Sequence, residues 1–448
     1  MINRRGNLLN IAAHGLRSGG EHWDAVYAVS ELRAASEPNP ALPVVLQLPR
    51  VTPIPGEDWR RYKERVGERL ADLAERLAKT AGVGARSLLF AANALAADLT
   101  LDQLDVIDRD PAVRLEVVEF DPLLDIAALD GLATDIGLPA VLAAHPTLDG
   151  SGVRVAVLDS GIDAAHPALS VSDAVSTCGE SVAIPGAHGT HCAGILASRD
   201  PVLRGVAPGV ELIDVKVMTA AGRGRSSWIT RGIDEATDRD VDICSMSLGF
   251  NHLPPDSGGH GWDCPDGTCT LCVAVDNAVT TDGLIMVVAA GNDHDDAQKL
   301  VTAGRGHEYD TELSCPGQAR QSICVGSHAK HTFAPAASSS NGPTAWGQLK
   351  PDLVAPGVQI LSTAPVPRDA NGSPVAGAPR SDLFRTKSGT SMATPAVAGA
   401  CALVLQRARE RGDPEDAATI RAALLASNVE PAGGPKHVVG GGRLRLQP

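Results

Sequence analysis

The sequence predicts an α/β fold, a mostly parallel sheet with helices on both faces, preceded by a small α+β domain. Three observations carry this. Over residues 151–448, short β-rich runs alternate with helical ones, at 153–158, 190–198, 210–217, 227–238, 241–247, 271–282, 284–289, 321–326 and 394–409. Such alternation builds parallel strands joined by right-handed helical crossovers. Before it, strand and helix patterns follow the order β-α-β-β-α-β. The composition agrees: aromatics make up 3% of the chain and glycine reaches 46 residues, which suits a sheet packed by Ala, Val and Leu with tight turns. At 448 residues, one large α/β domain can absorb most of the chain.

Residues 1–38 show little periodicity and several Gly, Ser, Pro and Asn, so they read as a flexible or peripheral arm. Arg4 and Arg5 precede an apolar stretch that Asn7 and Asn10 interrupt, too short and broken for a secretory leader. No later run is long and apolar enough to span a bilayer. The expectation is a cytoplasmic chain with no membrane partner, and a non-classical export route stays open. All nine cysteines lie at or after Cys178 with irregular spacing, which is no disulfide framework. A net charge of −14 argues against nucleic acid or an anionic membrane as partner.

Residues 39–122 carry the small domain. Ala41–Leu48 reads as a strand, Glu57–Thr80 as an amphipathic helix with Leu70, Leu73 and Leu77 at helical spacing, and Ser87–Phe90 and Ala94–Leu99 as two further strands. Thr100 caps a short helix and Val113–Phe120 closes with a fourth strand, giving a ferredoxin-like order. Residues 123–150 read as a connector with a processing site, its polar and small-residue part running from Gly131 to Gly152.

Candidate chemistry lies in three later blocks. Ser388-Gly389-Thr390-Ser391-Met392-Ala393-Thr394-Pro395 leads into an apolar run ending near Leu405, so Ser391 belongs at or just inside a helix N-terminus. Free backbone N–H groups and the helix dipole there can stabilise an oxyanion. Pro395 falls early enough to be tolerated in the first turn, and Gly399 and Ala400 let the helix pack closely. Upstream, the β-rich run 153–158 ends in Asp159-Ser160-Gly161, and His188-Gly189-Thr190-His191 opens a further apolar helix.

The Asp159, His188 and Ser391 blocks, in that order, resemble the three signature blocks of the subtilisin-like serine proteases, the subtilases; Asp, His, Ser is the chain order which that family uses. The resemblance implies a subtilisin-like sheet and an Asp-His-Ser triad: Ser391 attacks the peptide carbonyl, His188 relays the proton, and Asp159 orients the imidazole. It also implies that Asn292, delivered by Val287-Val288-Ala289-Ala290-Gly291, completes the oxyanion hole. The alternative for Asn292 is a turn residue. Ser245, Met246, Ser247, Leu248 and Gly249 resemble the segment that pairs with substrate backbone, faced by Ala290, Gly291 and Ser314. Ser314 stands where the family often has glycine. Asp293 and Asp296 fall beyond the oxyanion block, where a solvated role is preferred over selection of basic substrate residues. For His166, His191 and Cys192 a structural role is preferred.

The small domain resembles the inhibitory propeptide of subtilases, most clearly from Leu99-Thr100-Leu101-Asp102-Gln103-Leu104 to Val118-Glu119-Phe120-Asp121. It implies a zymogen whose own N-terminal domain is its intramolecular inhibitor, with a tail near Asp121–Asp125 lying through the active site and a cut between about Asp121 and Gly137. The long helix and the extra arm depart from the family. The triad chemistry needs no cofactor; structural calcium occurs in the family, but no single loop here has the carboxylate density to hold it.

An insertion at 250–270 brings Cys264, Cys269 and Cys272 near His252 and His260. Cys264, Cys269, Cys272 and His260 form a possible zinc set, but the spacing is not a standard motif, and loop cysteines without zinc, with one disulfide as an option, are the preferred reading. Gly440–Leu444 resembles the end of a subtilase catalytic domain. The function expected is a serine endopeptidase acting on peptide or protein substrate. Its narrower form is a dedicated processing protease of one precursor; the competing class is a non-catalytic peptide-binding pseudoprotease, which would normally lack a triad member.

Overall fold

The computed structural model describes residues 16–17, 41–49, 59–85, 87–89, 94–108, 110, 112–113, 117–120, 131–257, 259–262, 264–305, 311–369 and 371–448. The chain divides into two units, Met1–Leu124 and Asp125–Pro448.

The first unit is built on five strands, β1 Leu16–Arg17, β2 Leu42–Gln47, β3 Ser87–Leu89, β4 Ala94–Leu99 and β5 Val117–Phe120, in the order β1-β5-β2-β4-β3 with antiparallel neighbours throughout. The β-α-β-β-α-β order read from the pattern is present from β2 to β5. The helix Trp59–Arg76 continues as a wider turn, Leu77–Ala81, and ends at Gly82 with φ 70°. Its Leu70, Leu73 and Leu77 are buried against Leu46, Leu95, Leu99, Leu104 and Ile107, so the helical spacing is a packing face. Thr100 and Gln103 form a reciprocal cap: the Thr100 N–H donates to Gln103 Oε1 at 2.9 Å and the Gln103 N–H to Thr100 Oγ1 at 3.3 Å. Leu16 and Arg17, from the segment expected to be a flexible arm, pair with Val118 and Val117. The rest of that arm lies outside the described residues.

The second unit is a nine-stranded sheet. Its strands are β6 Arg154–Asp159, β7 Val171–Ser176, β8 Glu211–Lys216, β9 Ile243–Met246, β10 Ile285–Ala289, β11 Ile323–Ala329 and β12 Leu353–Val358, with β15 Val429–Glu430 and β16 Arg443–Leu444; β13 Ile360–Thr363 and β14 Phe384–Lys387 form a separate ribbon. The order is β15-β16-β12-β11-β10-β9-β6-β8-β7, and every pair except β15–β16 is parallel. The long helix Thr390–Arg411 packs on one face with Ala187–Ala197 and Ala417–Ser427, while Ser226–Thr237 and Thr270–Thr280 cover the other. No helix among the described residues is long and apolar enough to cross a membrane.

Strand β6 lies between β8 and β9, so the chain winds outward on one side of β6 before resuming on the other. A crevice opens at the carboxyl ends of strands where winding reverses in this way, and Asp159 is the last residue of β6. The stretch 131–150 is more than the connector its polar residues suggest. Leu132–Asp135 and Leu138–Ala144 are short helices, and Leu132, Ile136, Leu138 and Val141 are buried in the main core. Elements of four and seven residues are too short to show a period.

The close packing expected at Gly399 is literal: a Cβ there would lie 2.7 Å from the Val206 Cβ. Gly399→Ala should therefore lower unfolding stability by about 1–3 kcal/mol, against the gain in helix propensity. A denaturant titration of both proteins checks the sign.

Candidate active site

Asp159 ends β6 fully buried. A carboxylate taken out of water needs donors, and this one has them. The Ser160 N–H lies 2.6 Å away and the Ser160 hydroxyl 3.0 Å, both on Oδ1, while His188 Nδ1 is 2.9 Å from each carboxylate oxygen. His188 is the second residue of the helix Ala187–Ala197, its side chain 33% exposed. The Asp159 charge holds the imidazole pKa well above its ordinary value, outweighing the opposing effect of burial. Gly189 follows because no larger residue fits; a Cβ would sit 2.7 Å from the Gly161 carbonyl oxygen.

Lys216, at the end of β8, braces this turn. Fully buried, it donates to the Ser160 carbonyl, to the Ile184 carbonyl at 2.9 Å and to Glu180 Oε2 at 2.8 Å. Asp214 lies two residues earlier on the same strand, accepts the Ile162 N–H at 3.0 Å, and has its pKa pushed up to about 7 by burial. Neither residue was singled out from sequence. The signal was there: two charges inside the otherwise apolar run from Leu212 to Val217, on a strand covered on both faces.

Ser391 is the second residue of the helix Thr390–Arg411, as its sequence position implied. Pro395 stands one turn deeper than a first-turn proline. The i to i−4 bond that its missing N–H cannot make would have used the Ser391 carbonyl. That carbonyl instead accepts from Ser247 Oγ at 2.9 Å and from Cys192 Sγ at 3.4 Å. Cys192 Sγ is also 3.9 Å from His188 Nδ1, so one buried thiol touches both the serine backbone and the imidazole. The Ser391 hydroxyl donates to the Ser247 carbonyl at 3.3 Å.

Asn292 Oδ1 accepts the Thr390 N–H at 2.8 Å, which fixes the amide plane beside the helix terminus. Ser247, Leu248, Gly249, Gly291, Asn292, Ser314, Thr390 and Ser391 line one cleft of about 210 Å³. The remaining substrate candidates do not line it. Ser245 and Met246 lie inside β9 and are buried, and Ala290 is buried with Leu313 and Cys324 while its carbonyl accepts the Ser314 N–H at 2.8 Å. A strand covered on both faces turns these side chains into the core.

Asp293 reaches the cleft, accepting from Asn251 Nδ2 at 2.7 Å and Ser314 Oγ at 3.2 Å; Asp296 is exposed and paired with Lys299 at 2.5 Å. His191 is buried with its Nε2 against the Ile360 and Arg385 carbonyls, its pKa lowered to about 4 by burial, and His166 Nε2 meets the Leu383 carbonyl at 2.9 Å. Both are structural. His260, a member of the possible but not preferred zinc set, faces the cleft with its ring 3.0 Å from Asn251 Oδ1. None of the nine cysteines is disulfide-bonded in the structure, Cys264, Cys269 and Cys272 included.

A buried carboxylate at the crevice of a doubly covered parallel sheet, the imidazole it holds, and a serine at a helix terminus whose carbonyl shares the Cys192 thiol with that imidazole fit the class of α/β serine hydrolases. The Subtilase family (peptidase S8) matches residues 150–442. The chain is 35% identical to the intracellular serine protease of Paenibacillus polymyxa over 66% of its own length and 80% of the relative's. It is 33% identical to subtilisin NAT of Bacillus subtilis subsp. natto, covering 70% of this chain and 71% of that one, and to the alkaline protease of Alkalihalobacillus alcalophilus, covering 70% and 69%. The chain belongs to the subtilase family and is a subtilisin-like serine protease acting on peptide or protein substrates.

The raised Asp214 pKa carries a signed consequence. The folded state holds a proton that the unfolded chain releases near the ordinary value of 3.8, so the stability of the native protein falls as pH rises toward about 7. Asp214→Asn should remove that fall, and the variant should gain up to about 4 kcal/mol on the native protein between pH 4 and 7. Parallel thermal melts across that range measure the difference.

Proposed function

We propose that the protein is a serine endopeptidase working through Asp159, His188 and Ser391 with an acyl-enzyme intermediate. The observation that carries this is the bidentate approach of His188 Nδ1 to buried Asp159, which leaves Nε2 as the free nitrogen, beside a helix N-terminus bearing Ser391. Rotation about the Ser391 Cα–Cβ bond turns the hydroxyl from the Ser247 carbonyl toward the imidazole. Its oxygen attacks the substrate carbonyl carbon, His188 accepts the proton and later delivers it to the departing amine, and Asp159 keeps the ring in the required tautomer. The Ser391 N–H and the Asn292 amide then face the oxyanion. Asn292 is suited to this because its Oδ1 is already engaged by Thr390, leaving the NH₂ to donate.

The unit before residue 125 is the intramolecular inhibitor, and the enzyme is made as a zymogen. The tail at Asp121–Asp125 lies outside the described residues. Because Leu132 and Ile136 are buried in the catalytic core, activation cuts before Leu132, which narrows the interval expected from sequence.

A fluorophosphonate label with intact-mass readout tests the reading. One adduct on the native protein and none on Ser391→Ala is expected, with self-cleavage in the first sample only; native protein that never labels, before or after removal of the N-terminal unit, would make it a pseudoprotease. The labelling rate should rise with pH through a midpoint above the ordinary imidazole value, since Asp159 favours the protonated ring and only the neutral ring accepts a proton. Asn292→Ala should lower kcat by about 10²–10³, the range known from subtilisin itself for loss of one oxyanion donor, with KM nearly unchanged. Steady-state kinetics on a peptide substrate decide.

A further inference from the structure

The insertion after Gly249 does not use the ligands its spacing suggests. Cys264, Cys269 and Cys272 are joined not by His260 but by Cys315, 43 positions beyond Cys272, and the four sulfurs all lie within 4.8 Å of one another. Three of the four residues are buried, with Cys269 partly open to solvent.

We propose that these four cysteines form a structural zinc site. The spacing of the sulfurs is the main argument. Tetrahedral thiolate zinc has Zn–S bonds of about 2.3 Å, which puts neighbouring sulfurs about 3.8 Å apart. Cys264 Sγ and Cys272 Sγ are 3.9 Å apart, and Cys272 Sγ and Cys315 Sγ 3.6 Å. A disulfide needs about 2.05 Å, so these pairs are far too long for that bond and right for the edges of a tetrahedron. An iron–sulfur cluster divides four cysteines between two irons or gives each its own, and so spreads the thiolates more widely than one ion does. The site is small enough for one ion only.

The surroundings are those of thiolates. The Cys269 N–H points at Cys264 Sγ at 3.4 Å, and Gln318 Nε2 lies 3.5 Å from Cys315 Sγ while also donating to His252 Nε2 at 2.7 Å. Such N–H donors around ligating sulfur disperse its charge and fix its orientation. Trp262 packs against the same cluster with its indole Nε1–H buried and within reach of the Cys269 thiol. Binding deprotonates the four thiols and releases their protons.

The placement gives the ion a task. Cys315 follows Ser314, one wall of the cleft, and Phe250 follows Gly249, the other; the two residues pair as a short antiparallel bridge, with Phe250 N–H to Cys315 O at 2.8 Å and Cys315 N–H to Phe250 O at 2.9 Å. Cys272 sits in the helix Thr270–Thr280 and Cys264 and Cys269 precede it. One ion thus fastens the insertion and a core helix beneath both cleft walls.

Metal analysis of the native full-length protein, purified without chelator or added metal, is the primary test. About one zinc per chain and a mass equal to the fully reduced sequence after denaturation are expected. Cys264→Ser and Cys315→Ser should both lose the metal, whereas His260→Ala should keep it. If the cysteine variants do not fold, cobalt exchange into the native protein replaces them, and a thiolate-to-cobalt charge-transfer band is expected. Chelation should lower Tm, and in active protein it should raise KM more than it lowers kcat. Metal-free native protein with a mass about 4 Da low, meaning two disulfides, overturns the site, as does metal-free protein with four free thiols. Iron in place of zinc overturns the zinc assignment. The metal content is read without substrate, so it stands or falls independently of the protease mechanism.

Discussion

A fully buried carboxylate is the constraint around which the site is arranged. Asp159 lies at the end of a strand in the middle of the sheet, with no water to share its charge. Three donors from two neighbours converge on it: the Ser160 N–H, the Ser160 hydroxyl and the His188 ring. Each donor needs its own support. Lys216 holds the Ser160 carbonyl, and Gly189 lets the imidazole-bearing helix approach the Asp159 turn. Lys216 is itself a buried charge, matched by Glu180 and two carbonyls. Solvation lost by one group is thereby replaced by the next along β6 and β8, and the imidazole ends in one tautomer because the carboxylate leaves it no other.

The site was legible in sequence to the extent that its chemistry is local. Asp159 at a strand end, His188 beside a glycine and Ser391 in the first turn of a small-residue helix each follow from neighbours within a few positions, and so do the alternating strands and helices. What escaped was long-range or without period. The strand β12 contains Pro356 and Gly357, and β7 is polar, so neither shows a strand pattern. The helices at 132–144 are too short for periodicity, and only tertiary burial reveals their role. Cys315 could not be assigned to the insertion because nothing near it in the chain points there; sequence proximity favoured His260, whose ring turns to the cleft instead. Among the substrate candidates, the strand's end decided: Ser247 to Gly249 lie beyond β9 and line the cleft, while Ser245 and Met246 lie within a strand buried on both faces.

The two faces of the unit carry different burdens. One is an almost wholly aliphatic contact between the long helix and the sheet, where the glycine and alanine content brings backbones close. The other adds sulfur and aromatic groups around the insertion, with Phe250 stacked on Trp262 at 4.8 Å between ring centroids. The first face sets where the serine stands. The second sets the shape of the cleft it faces.

A proline inside the long helix leaves one rung of the ladder open, and the open rung belongs to Ser391. Ordinary helix bonding would have tied the Ser391 carbonyl down the axis. Here Ser247 and Cys192, from β9's end and from the His188 helix, grip it from the side. The backbone of Ser391 is thus a junction of three separate chain segments, so a disturbance in any one of them reaches this helix terminus without passing through the other two.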